Sequence, residues 1–144
     1  PEALFRARNY RAIGDAFRNM AIDKRRFGED VLQVYRDNAA HPGALTAMIN
    51  YYRALVRGGG AARQRALGYP TISVPTLMIW GECDAALGKE TTYGTDAFVS
   101  DLTLRYLPNV SHWVQQEAPE TVNAMLTAWF TGQPVPEASP KPGC

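Results

Sequence analysis

The chain has 144 residues, 46% of them hydrophobic, enough for one modest core and a first expectation of a single domain. With 15 Lys and Arg against 14 Asp and Glu, the net charge of +1 gives no reason to look for nucleic acid, although arginines gather among aromatic residues in the first half. No apolar run approaches the roughly 20 residues that cross a membrane. The 2 cysteines are too few for a disulfide framework. Cys83 falls at a strand end and Cys144 ends a tail, so no pairing is expected and a reducing, cytoplasmic setting is the default.

In chain order, the first segment reads as helices. Tyr10, Ile13, Phe17 and Met20 fall three or four apart, as one helix face requires. Val31, Val34 and Tyr35 repeat that spacing between Asp30 and Asn38, before Ala39-Ala40-His41-Pro42-Gly43 breaks the chain. A stronger helix follows, its apolar stripe made of Leu45, Met48, Ile49, Tyr52, Leu55 and Val56. It is expected to stop at Gly58-Gly59-Gly60.

From Tyr69 the pattern changes. Ile72 to Trp80 is an almost continuous apolar run, the mark of a strand covered on both faces. Lys89 to Ser100 is expected to supply a crossover helix, weakened by Gly94, and a second strand runs from Leu102 to Leu107. Pro119 suits the first turn of a last helix that carries Val122, Met125, Leu126 and Trp129. This β-α-β-α order predicts an α/β architecture with parallel strands. The expected divisions are a helical portion (1–68), an α/β core portion (69–130) and a proline-rich tail (131–144) with too little apolar surface to order itself.

Chemistry concentrates at the two strand ends. Gly81-Glu82-Cys83-Asp84 closes the first strand, and Pro108-Asn109-Val110-Ser111-His112-Trp113 follows the second. In an open α/β sheet, that edge is where ligands collect. A carboxylate there can hold one imidazole nitrogen and leave the other free to take a proton. The plainer alternative is that Asp84 caps a turn and His112 is an ordinary loop histidine. Glu82, Cys83, Asp84 and His112 lack a recognised metal-site spacing, so neither metal nor cofactor is expected. No residue looks placed as the nucleophile that such a pair would serve.

Val-Pro-Thr-Leu-Met-Ile-Trp-Gly-Glu-x-Asp (74–84) and Ser-His-Trp-x-Gln-Gln-Glu-x-Pro-Glu (111–120) together resemble the C-terminal part of α/β-hydrolases, in particular the epoxide hydrolase and dehalogenase branch. Ser111 stands where glycine is commoner in that branch. The resemblance implies a parallel sheet preceded by the latter part of an α-helical cap, with Asp84 and His112 as catalytic acid and base. Asn50-Tyr51-Tyr52-Arg53 resembles the cap-helix segment whose tyrosine hydroxyl meets the epoxide oxygen, which gives that role to Tyr52. The substrate so implied is a small organic epoxide, opened through an aspartyl ester.

The elbow aspartate and oxyanion-hole loop would lie in the family's N-terminal portion. With Pro1 in place of an initiator methionine, a fragment that needs its missing N-terminal half as partner is expected. Alone, it should be inactive and fold poorly. A dehalogenase, a serine esterase of the same fold and a non-catalytic binding or regulatory piece are the alternatives.

Overall fold

The computed structural model describes residues 1–139, which divide into two compact units. One comprises Pro1–Asn19 and Phe27–Pro70. The other comprises Met20–Arg26 and the chain from Thr71 onward.

The helical unit contains α1 (Glu2–Met20), α2 (Glu29–Ala40), α3 (Ala44–Arg57) and α4 (Gly60–Ala66). Its core joins Ile13, Ala39 and Leu45 to Phe5, Tyr10, Phe17, Tyr35 and Ile49. The Phe17 and Tyr35 rings stack with centroids 3.8 Å apart. The helix face expected from Tyr10 to Met20 begins where a break ends: Arg8, Asn9 and Tyr10 turn left-handed, with φ of 51°, 55° and 57°. Glu29 and Asp30 in the first turn of α2 suit the positive end of its dipole.

Gly58 ends α3, but Gly59, at φ 68°, only redirects the chain, and α4 resumes at Gly60. The apolar stripe of α3 is only partly used. Leu45 is buried and Ile49 packs beside it, whereas Met48, Tyr52, Leu55 and Val56 are exposed. Periodicity identifies an apolar face without saying what covers it.

The second unit contains strands β1 (Thr76–Gly81) and β2 (Leu102–Leu107), then α5 (Val114–Glu117) and α6 (Pro119–Phe130). The strands pair in parallel, with Thr76 beside Leu102 and Gly81 beside Leu107. Pro75 has no N–H, so the ladder begins after it. There the Thr76 amide donates to the Asp101 carbonyl at 2.9 Å. Leu107, Val110, Val122, Met125 and Val135 form the core, with Leu77 and Ile79 of β1 and Trp129 of α6 against it.

Two expectations for this unit need correction. The crossover is not an α-helix: only short 3-10 turns occur, at Lys89–Thr92 and Thr95–Ala97. Gly94, left-handed at φ 76°, separates them and prevents one continuous helix.

The tail is also more ordered than its proline content predicts. Val135 is buried in the core, and Arg105 donates to the Val135 carbonyl from Nη2 at 2.7 Å and to the Pro136 carbonyl from Nε at 3.1 Å. A single cation therefore satisfies carbonyls that have no ladder of their own. Truncation in Arg105→Ala should cost about 2 kcal/mol in urea unfolding, as for lost hydrogen bonds to a charged group. It should also make 131–139 the first site of limited proteolysis. Residues 140–144 of the expected tail lie outside the described residues.

Cys83 is disulfide-bonded, contrary to the expectation of an unpaired thiol, and Cys144 lies outside the described residues. Among the described residues, no helix is long and apolar enough to cross a membrane, and no group of three or more His, Cys, Asp or Glu side chains gathers as a metal site would require.

Candidate active site

At the carboxyl end of β1 the chain must pass close under the loop that leaves β2. A Cβ on Gly81 would lie 2.1 Å from the Ser111 carbonyl oxygen and 2.5 Å from that of Val110. Only glycine permits this approach, and the crossing is fastened on both sides of it. The Glu82 amide donates to the Leu107 carbonyl and the Cys83 amide to the Val110 carbonyl, each at 3.0 Å. Asn109 makes the turn with φ 57°, a conformation asparagine tolerates better than most residues.

That crossing brings Asp84 and His112 together. His112 Nδ1 lies 2.7 Å from Asp84 Oδ2. Oδ1 of the same carboxylate accepts the amides of Ala86 at 2.8 Å and Leu87 at 2.9 Å. Asp84 therefore caps its own turn and holds the histidine, one oxygen for each task. Burial alone would raise its carboxyl, but the Leu87 amide, the His112 ring and the Ala86 amide together hold it below the ordinary aspartate value. It stays ionised at neutral pH. A carboxylate only accepts, so Nδ1 carries the imidazole proton and Nε2 keeps its lone pair. The Asp84 side chain is 4% exposed and that of His112 30%, so the acid is sheltered while the ring remains reachable.

The loop after Asp84 has further supports. Trp80 Nε1 donates to the Leu87 carbonyl at 3.1 Å. Lys89 pairs with Glu82 at 2.8 Å and lies over the Tyr106 ring, whose hydroxyl shares a hydrogen bond with Thr92. The loop carrying His112 rests on Glu117, a buried carboxylate that sequence reasoning passed over. Its Oε2 accepts the Ser111 amide at 2.6 Å and its Oε1 the Asp23 amide at 2.8 Å. Periodicity gave no signal for it, because its partners are backbone groups.

Tyr52 belongs to the helical unit. It lies on α3, 67% exposed, with its ring edge-on to Tyr51, and lines a cleft of about 300 Å³ with Pro1, Ile49 and Val56. Its neighbours in the Asn-Tyr-Tyr-Arg segment are fixed. Arg53 donates to Asn50 at 2.9 Å and to both oxygens of Glu2, at 2.7 and 3.1 Å, which brings the Glu2 carboxyl down to about 2.

No protein-family model matches the chain. Individual relatives do. The AB hydrolase superfamily protein YfhM of Bacillus subtilis is 32% identical over 133 residues, 92% of this chain and 44% of that protein. Epoxide hydrolase 4 of Mus musculus is 30% identical over 135 residues, 90% of this chain and 36% of that protein. The crystal structure of Cfl2 from Burkholderia cenocepacia superposes with a TM-score of 0.76 at 18% identity, covering 90% of this chain and 43% of that one.

The fold is that of the C-terminal part of an α/β-hydrolase. In sequence the chain is similar to an AB hydrolase and to epoxide hydrolases over about 90% of its length, and it spans less than half of the curated relatives it matches.

Proposed function

We propose that this chain supplies the acid, the base and part of the cap of an epoxide hydrolase. The carrying observation is the Asp84–His112 pair at 2.7 Å, at the carboxyl ends of two paired parallel strands. The kinship with epoxide hydrolases directs that chemistry toward epoxides. The helical unit is then the latter part of the cap. The whole enzyme includes an aspartate nucleophile that this chain does not provide, so the chain alone is inactive.

The reaction has two stages. The carboxylate nucleophile attacks an epoxide carbon, the C–O bond breaks, and an ester forms while the ring oxygen takes a proton from water. The hydroxide so left is neutralised by the proton that His112 gives up after the second stage. Tyr52 donates a hydrogen bond to that oxygen as it becomes an alkoxide. His112 Nε2 then takes a proton from water, the hydroxide attacks the ester carbonyl, and the diol leaves as the carboxylate is restored. Asp84 fixes the ring orientation and stabilises the imidazolium formed in this second stage.

In the full-length protein, Tyr52→Phe should slow opening of an aryl epoxide about 100-fold, the usual effect of losing one donor to a developing oxyanion. Hydrolysis of a matched aryl ester should barely change. Parallel steady-state assays on the two substrates check this, and equal losses on both would remove Tyr52 from the epoxide-opening role. Turnover of a haloalkane in preference to the epoxide would favour the dehalogenase alternative.

A further inference from the structure

Glu117 is a carboxylate with little access to water, and it is not spent on a cation. Its side chain is given wholly to backbone amides: Oε2 takes the N–H of Ser111, immediately before His112, and Oε1 takes the N–H of Asp23. These donors come from distant parts of the chain, and Asp23 lies in the only stretch of the first 70 residues that joins the α/β unit. A second contact reinforces the same stretch, because Arg26 reaches Glu120 at 3.3 Å. Gln116 Nε2 also donates to the Arg26 carbonyl at 3.3 Å.

Neutral turn chemistry would serve to end a short helix at this point. A buried charge is costly unless fully hydrogen-bonded, so its presence needs the two strong donors it has. Removal of the carboxylate would leave both amides without their acceptor, that of the fully buried Ser111 out of reach of water. The Ser111 amide matters most, since the Val110–Ser111 peptide that carries it fixes the Ser111 Cα, one residue before His112. The Val110 carbonyl of that same peptide accepts the Cys83 amide at 3.0 Å, so the peptide is held at both its N–H and its C=O.

We infer that Glu117 is a positioning residue for the base: its carboxylate anchors the Ser111–His112 backbone and thereby keeps His112 Nδ1 on Asp84. It acts through the loop and touches no reacting atom. The inference rests on the acid–base reading of Asp84 and His112, and the test separates the two.

The experiment is long-range proton–nitrogen correlation NMR on the ¹⁵N-histidine-labelled full-length protein, with the His112 signals assigned by their loss in His112→Gln. Wild type should show His112 with its proton on Nδ1. In Glu117→Ala, the ratio of the Nδ1–H to the Nε2–H tautomer should fall by about tenfold or more, the scale of losing one hydrogen bond to a charged group. Glu117→Met fills the vacated volume without an acceptor and should give the same loss, which keeps the test open if the alanine variant does not fold.

Glu117→Gln, with one acceptor oxygen left, should restore the ratio in part. Glu120→Ala, which breaks only an exposed ion pair, should match wild type. A folded Glu117→Ala or Glu117→Met protein with the wild-type tautomer would overturn the positioning role and leave the Asp84–His112 pair intact. A wild-type protein without the Nδ1–H tautomer would overturn the pair itself.

Discussion

Asp84→Asn should leave the fold standing and remove the base. The asparagine carbonyl oxygen can still accept the Ala86 and Leu87 amides that Asp84 Oδ1 holds. Its NH₂ then faces His112 Nδ1 and donates, which moves the imidazole proton to Nε2. A nitrogen that already carries a proton cannot take one from water. Ester hydrolysis in the full-length protein should therefore fall about 10⁴-fold, the order known for a triad acid replaced by its amide. Stability should fall by only about 1 kcal/mol.

Asp84→Ala separates the two tasks. It loses the turn cap as well, so it should be the less stable variant by thermal or urea unfolding while being no less inactive. Equal stability of the two would mean that the Ala86 and Leu87 hydrogen bonds contribute nothing. A pH series adds a sign. The folded Asp84 carboxyl lies below its ordinary value, so the folded state favours the ionised form. That contribution to stability is complete above the unfolded value, about 4, and is lost as pH falls through the lower folded value. The difference between wild type and Asp84→Asn should therefore shrink toward acid.

Gly81→Ala should be more damaging to the fold than either change at Asp84. The added methyl would sit 2.1 and 2.5 Å from two carbonyl oxygens that belong to backbone, so no side-chain rotation can relieve the clash. Strand and loop must separate, which strains the Cys83–Val110 hydrogen bond and the Asp84–His112 pair beyond it. The expected cost is about 3 kcal/mol, at the upper end of ordinary overpacking. Urea denaturation of the full-length protein checks it. A loss below about 1 kcal/mol would mean that the loop has room to retreat, as routine surface substitutions do.

Asp84 and His112 were legible in the sequence because strand ends are. An apolar run that stops at Gly-Glu-Cys-Asp, and a second that stops at Pro-Asn, place two polar side chains on one edge of a parallel pair. The helices after Asp30, Leu45 and Pro119 were visible by the same periodicity. What escaped was whatever depends on groups far apart in the chain. Glu117 and Asp23 are 94 residues apart, and although Glu117 falls in the motif at 111–120, nothing local gives either its partner. Val135 and Arg105 likewise order a proline-rich segment through contacts no local pattern reports. The crossover was misjudged for a local reason, since Gly94 outweighed the helical bias of the residues around it.

The acid–base assignment and the ester intermediate can be tested together in one measurement. His112→Gln in the full-length protein removes the base that discharges the ester while leaving epoxide opening intact. Intact-mass spectrometry after incubation with an aryl epoxide should then show the protein heavier by one epoxide, with the adduct on an aspartate outside this chain and none accumulating in wild type. A His112→Gln protein that stays unmodified while wild type turns over the same epoxide would contradict the covalent route. An adduct on serine would contradict the epoxide hydrolase reading.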